Sequence, residues 1–139
     1  MNASDDPPPR QALVVELTKP SPALPAMRRW IGEVFGDLSE DSVDDVRLVV
    51  TELVSNAYDH GLHPRLLRLR RLGAGLLRVE VDDASPDKPV LGRSRIDDTR
   101  GRGLVIVDKI AEAWGVTWQA TGKTVWAELR CGLGLAAFA

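Results

Sequence analysis

The sequence predicts an α+β domain of two layers, with helices on one face of a mixed, mainly antiparallel sheet. Three observations predict it. Segments of strand-like content alternate with segments of helical spacing. The strands fall into pairs joined by short turns containing Gly, so hairpins outnumber crossovers. The chain has 139 residues, 44% apolar and 27% charged, the profile of one globular domain with its own core.

Each element has a local reason. Residues 1–10 are polar and end in Pro7-Pro8-Pro9-Arg10; with little to bury, they read as a disordered tail. Ala12 to Thr18 has the β-branched content of a strand. Pro20, Pro22 and Pro25 mark a turn and then a helix entry. From Ala23 to Phe35 the apolar residues Leu24, Met27, Trp30, Ile31 and Val34 recur at helical steps, and Gly36 suits the helix end. Ser39 or Asp41 can cap a second helix, whose early Glu40, Asp44 and Asp45 suit its positive end. Val43, Val46, Val50, Leu53 and Ala57 form its buried stripe, and Gly61 and Pro64 close it.

Leu66–Leu72 and Leu76–Val81 read as a hairpin around Gly73-Ala74-Gly75. Residues 84–100 lack periodicity and hold Pro86, Pro89 and Gly92, which predicts a long lid or binding segment. Gly103 to Ala113 returns to helical spacing, and Val116–Gln119 with Thr124–Leu129 predicts a last hairpin. Residues 11–130 make the domain, and residues 131–139 read as a loose tail of small residues.

Composition excludes several functions. Net charge is −2, so no global field draws the chain to nucleic acid or to anionic membrane. The cluster Arg65, Arg68, Arg70 and Arg71 is expected to solvate one side of a strand. A single cysteine, Cys131, allows no internal disulfide, and with two histidines the chain lacks the ligands for a structural zinc site. No apolar run is long enough to span a bilayer and no signal peptide is evident, so a cytoplasmic protein is expected.

Two nucleotide motifs fail inspection. Gly122-Lys123-Thr124 has the ending of a P-loop, but the required earlier Gly is Thr117 and a strand follows. Gly101-Arg102-Gly103 begins like a dinucleotide fingerprint but lacks the third Gly and a preceding strand. Gly101 and Gly103 still allow backbone N–H groups to approach an anion at a helix start.

The stretch Thr51 to His60 carries more information. Its Glu52, Asn56 and Asp59 stack on one helix face at the edge of the apolar stripe. Asn is a poor mid-helix residue, so its place there asks for a reason. A carboxylate one turn from a carboxamide can hold a proton acceptor and a hydrated divalent metal against a phosphate chain. His60 can also serve as a cation at the helix C-terminus. Asp82-Asp83 ends a strand, where a carboxylate can accept from a base amino group or simply face water.

Taken in order, these pieces resemble the GHKL ATPase superfamily, and within it the small anti-sigma-factor serine kinases and related actinobacterial ATP-binding regulators. The resemblance covers about residues 11–130. It rests on Glu52-Leu53-Val54-Ser55-Asn56-Ala57-Tyr58-Asp59-His60 as the N box and Val79 to Pro86 as the first glycine box. Gly101 to Val107 follows as the second glycine box, then Trp114-Gly115-Val116 and Gly122 to Leu129.

The resemblance implies the Bergerat fold, with ATP and Mg²⁺ between helices and sheet. By matching position, Glu52 is the general base and Asn56 the Mg²⁺ ligand. Asp83, in phase with Val79 and Val81, is the adenine-binding Asp. Gly101 and Gly103 face the phosphates, and Thr124 backs the adenine subsite. Asp59, His60, Ser85, Arg102 and Leu104 fall inside the nucleotide-binding boxes. Ser85 and Asp87 stand where the broader superfamily has glycines, and the lid arginines Arg93, Arg95, Arg100 and Arg102 can offset the added charge.

The implied function is a serine/threonine kinase that phosphorylates an anti-sigma-factor antagonist protein. The related kinases also sequester a sigma factor and are often homodimers. The alternative is a non-catalytic ATP-binding module whose nucleotide-ordered lid controls protein binding. A histidine-kinase catalytic domain fits less well, because no dimerisation helix with a phospho-acceptor His precedes the boxes. Neither direct nucleic-acid binding nor membrane attachment is expected.

Overall fold

A computed structural model describes residues 12–73, 75–85 and 98–134, with the side chains of 98–103 outside that description. The elements run β1 (Ala12–Glu16), α1 (Leu24–Val34), α2 (Glu40–His60), β2 (Leu66–Gly73), β3 (Leu76–Asp83), α3 (Asp98–Ile110), β4 (Ala113–Gln119) and β5 (Gly122–Arg130). The five strands form one sheet in the order β1-β2-β3-β5-β4. Every pair in it is antiparallel, so the parallel component of a mixed sheet is not found among the described residues. Otherwise the α+β class and its two layers are as the sequence predicts.

Alternation along the strands sorts the side chains by face. Leu67, Leu69, Leu77, Val79, Val81, Val125, Ala127 and Leu129 are buried beneath the helices, with Ile31, Phe35, Val46, Leu53 and Val107 completing the core. The register places Arg68 opposite Glu80 and Glu80 opposite Trp126, so those positions share the other face.

That outer face corrects one expectation. The arginines there are not merely solvated. Arg68 pairs with Glu80 and Asp82, Arg70 with Glu80, and Arg78 with Glu80 and Glu128. The guanidinium of Arg78 also lies 4.3 Å from the Trp126 ring centroid. Each of these arginines is paired with a carboxylate, so the face offers little surplus positive charge to an anionic polymer.

Helix α2 organises the other layer. It packs against α1, α3, β3 and β5. Val49 and Val54 are buried along with the expected stripe, which is therefore broader than a helix with one covered side would need. The helix has 21 residues and β5 has 9. At about 1.5 Å and about 3.4 Å per residue the two have nearly the same length.

They also run antiparallel, and both ends of α2 are tied to the ends of β5. At the N-terminus Ser39 caps the helix by accepting from Ser42 N at 3.2 Å. Ser39 N donates to Gly132 O, Gly132 N donates to the Ser42 hydroxyl, and Leu38 bridges to Leu133. Residues 131–134 thus clamp this end instead of hanging free, while residues 135–139 lie outside the described part. At the C-terminus Gly61 meets the end of β3, close to where β5 begins.

Two boundaries differ from the sequence reading. Helix α3 starts at Asp98, so Gly101 and Gly103 lie within its opening turns instead of at its very start. It ends at Ile110, and Ala113, expected in the helix, begins β4 because it pairs with Glu128. Of the segment 84–100 expected as a lid, residues 86–97 lie outside the described residues.

Candidate functional site

The last turns of α2 and the end of β3 bring the predicted side chains together in two groups. The first is on α2. Glu52 and Asn56 are half-buried, at the margin of the stripe formed by Leu53, Val54 and Ala57. Neither side chain makes a hydrogen bond or ion pair among the described residues. Asp59 is exposed and His60 half-buried in the final turn. A half-buried carboxylate and carboxamide one turn apart, left open by their own fold, are available to a ligand lying along the helix.

The second group surrounds Asp83. The residue is 4% exposed. Its Oδ1 accepts from Ser85 N at 2.7 Å, so Ser85, itself buried, folds the chain back over the carboxylate. Its Oδ2 is buried and accepts no hydrogen bond among the described residues, although Lys123 Nζ lies 2.8 Å away. The ion pair is real by distance, and a carboxylate oxygen with two lone pairs keeps acceptor capacity beside it.

Close approach at this junction demands glycine. A Cβ on Gly61 would come within 2.5 Å of Asp83 Cγ and 2.6 Å of Ala57 O. A Cβ on Gly122, whose φ is +156°, would collide with the Asp83 carbonyl oxygen. The end of α2, the end of β3 and the start of β5 therefore converge on one buried carboxylate. Ala84 N donates to Leu62 O at 2.9 Å and closes the junction.

Arg65 holds the helix side of it. The residue is 9% exposed, and its Nε donates to Ala57 O at 3.0 Å. Its guanidinium lies 4.4 Å from the Tyr58 ring centroid and reaches Gly61 O and His63. Arg65 thus adds a donor to Ala57 O in the last turn of α2 and another to Gly61 O just past it. An arginine five residues past a helix end looks like any strand-leading cation in sequence, so its role there had no signal.

Thr124 lies near the start of β5. It pairs with Asp82, and its hydroxyl donates to Asp82 Oδ1 at 2.6 Å. Asp82 and Asp83 alternate across the sheet, so Thr124 belongs to the outer face and Asp83 to the helix face. Of the second glycine box, the backbone of Gly101, Arg102 and Gly103 is helical, and Leu104 is half-buried in α3 beside α2. The side chain of Arg102 lies outside the described part, as does that of Arg100, together with Asp87 and the lid residues Arg93 and Arg95.

A nucleotide with Mg²⁺ fits these residues. The buried Asp83 Oδ2 is an acceptor awaiting a donor such as a base amine. Asn56 offers one neutral oxygen, which suits a metal that takes most ligands from water and phosphate. No group of three or more His, Cys, Asp or Glu side chains that could hold a metal occurs among the described residues. No described helix is long and apolar enough to cross a membrane.

Comparison with known proteins bears on the family of the chain. The chain is 35% identical over 80 residues to an uncharacterised protein of Streptomyces coelicolor, covering 55% of this chain and 76% of that one. Its fold is similar to the histidine kinase domain of a blue-light activated histidine kinase from Erythrobacter litoralis EL346. That match has a TM-score of 0.51 and 20% identity, and covers 77% of this chain. A second structure of that kinase gives a TM-score of 0.54 at 23% identity over the same share. The chain spans 58% and 40% of these two structures. Residues 18–129, most of the chain, match the family described as the histidine kinase-like ATPase domain, and the chain belongs to that family.

Proposed function

We propose that this protein is an ATP–Mg²⁺-dependent serine/threonine kinase of the anti-sigma-factor type, acting on a small antagonist protein. The observation that carries the reading is the Glu52/Asn56 pair, half-buried one turn apart and unpaired among the described residues. Asn56 would hold the Mg²⁺, which when bound neutralises charge on the phosphate chain. Asp83 binds the adenine amine, with Gly61 clearing the approach. Glu52 takes the proton from the attacking hydroxyl of the protein substrate, so the chain contributes positioning and a base. A homodimer and a sigma-factor contact belong to this proposal, as does a cytoplasmic location.

The test is phosphotransfer with Glu52→Ala. ATP affinity by calorimetry should stay within about threefold of wild type, while transfer to the antagonist falls by about 100-fold or more, as expected for loss of a general base. Transfer at the normal rate would remove Glu52 from this role.

The second reading is a non-catalytic module whose nucleotide-bound lid controls protein binding. It draws on Ser85 and Asp87, which stand where glycines are usual. Ser85 here braces Asp83 through its backbone N–H. Tight ATP binding with no transfer to any antagonist, and partner capture only with ATP, would favour it.

A further inference from the structure

Antiparallel pairing sets Lys123 opposite Asp83, so both side chains leave the same face of the sheet. That face is otherwise apolar, formed by Val79, Val81, Val125 and Ala127. The Lys123 side chain is 13% exposed and that of Asp83 1%. Burying an ammonium is costly, and two apolar residues would fill this place more cheaply. As a pure ion pair the arrangement is also incomplete. Asp83 Oδ1 is engaged by Ser85, while Oδ2 sits 2.8 Å from the ammonium without a hydrogen bond. The pair therefore presents an open acceptor beside a group with three N–H donors. Both residues also border a cleft of about 480 Å³ shared with Pro64, Arg68, Asp82 and Thr124, and of the pair it is Lys123 that keeps some exposure.

An open acceptor next to a donor is the complement of an adenine edge. The exocyclic amine donates and the neighbouring ring nitrogen N1 accepts. The 2.8 Å between Nζ and Oδ2 suits two parallel hydrogen bonds to adjacent edge atoms. We propose that Lys123 is a base-reading residue: Asp83 Oδ2 accepts from the adenine amine while Lys123 Nζ donates to N1. This rests on the ATP reading above and deepens it. A lysine that merely neutralised Asp83 would affect all nucleotides alike. One that reads N1 affects only bases that carry that acceptor.

The experiment is calorimetry with ATP and with 1-deaza-ATP, in which N1 is replaced by C–H, both with Mg²⁺. Wild type should bind ATP about tenfold or more tightly than 1-deaza-ATP, as for a charge-assisted hydrogen bond. Lys123→Met should bind the two equally, having lost affinity for ATP alone. Lys123→Gln keeps a donor and should keep part of the discrimination, which guards against a Met variant that folds poorly. Melting of each unliganded variant reports folding separately. Equal losses for both ligands in Lys123→Met, or tighter ATP binding by it, would overturn the assignment and leave Lys123 a counter-ion or a competitor. Wild type that binds both nucleotides without discrimination overturns this inference alone. Wild type that binds neither overturns the ATP reading and the inference with it.

Discussion

Asp82 and Asp83 are adjacent and chemically identical, yet the sheet gives them opposite surroundings. Asp82 points to the outer face, where its side chain is 26% exposed, pairs with Arg68 and accepts from Thr124. Asp83 points under the helices, where its side chain is 1% exposed and one oxygen keeps no hydrogen bond among the described residues. On the outer face each carboxylate is matched by arginines that share its solvent. On the inner face one carboxylate is stripped of water and held open. The difference shows that the strand parity that builds a core also sets a polar residue apart from water, once one is placed in the core phase.

The largest effect should come from neutralising the two aspartates in turn. Asp83→Asn should weaken ATP binding by about 100-fold, because an amide cannot accept in the same way and Lys123 loses its partner. Asp82→Asn should change it by less than about threefold and lower stability instead. Calorimetry on both variants decides. Similar losses for the two would mean that the faces are not functionally distinct.

How much of this contrast was legible in the sequence follows from range. Ser39, the apolar stripe and Gly61 mark α2 because capping and periodicity are local, and its bounds came out as read. The phase of Asp83 with Val79 and Val81 was legible for the same reason. Lys123 was not: its partner lies forty positions away in the chain and is fixed only by the register of β3 with β5. The same register sets Thr124 opposite Asp82. The start of α3 was placed at Gly101–Gly103, not at Asp98, because Gly costs about 1 kcal/mol in a helix interior and so suits a helix start better. Buried Val107 and the packing of α3 against α2 outweigh that cost. The arginine cluster was misread because its carboxylates, Glu80, Asp82 and Asp37, come from other parts of the chain.

A smaller effect probes the outer face itself. Burial raises the pKa of Glu80, but hydrogen bonds from Arg78 and Arg68 and the charge of Arg70 outweigh it and bring the value to about 2, from the usual 4.5. A carboxylate whose folded pKa is depressed stabilises the protein above its unfolded pKa. That stability is lost as pH falls through the folded value. The Glu80 contribution should therefore be full above about pH 4.5 and gone near pH 2. After allowance for the solvent around its arginines, it is on the order of 2 kcal/mol. Urea melts of Glu80→Gln should show that deficit at pH 7 and a gap to wild type that narrows with acid. A gap independent of pH would mean that the loss is packing, not charge.

The smallest effect lies where an outer-face strand meets the helical layer. Arg71, the last cation of β2, forms a two-pronged pair with Asp37, both bonds at 2.8 Å. It also lies over the Phe35 ring at 4.9 Å. The Arg71 hydrogen bond lowers the Asp37 pKa against the opposing effect of burial. Good geometry alone would make this pair look as strong as those of Glu80. Yet the two side chains are 33% and 41% exposed, against 9% for Glu80, so water and salt screen it. Asp37→Asn should cost only about 0.5 kcal/mol, and about half of that should vanish in 1 M salt. Chemical denaturation by urea with and without salt measures both numbers. A loss near that of Glu80→Gln would show that burial of the carboxylate is not what separates strong pairs from weak ones in this sheet.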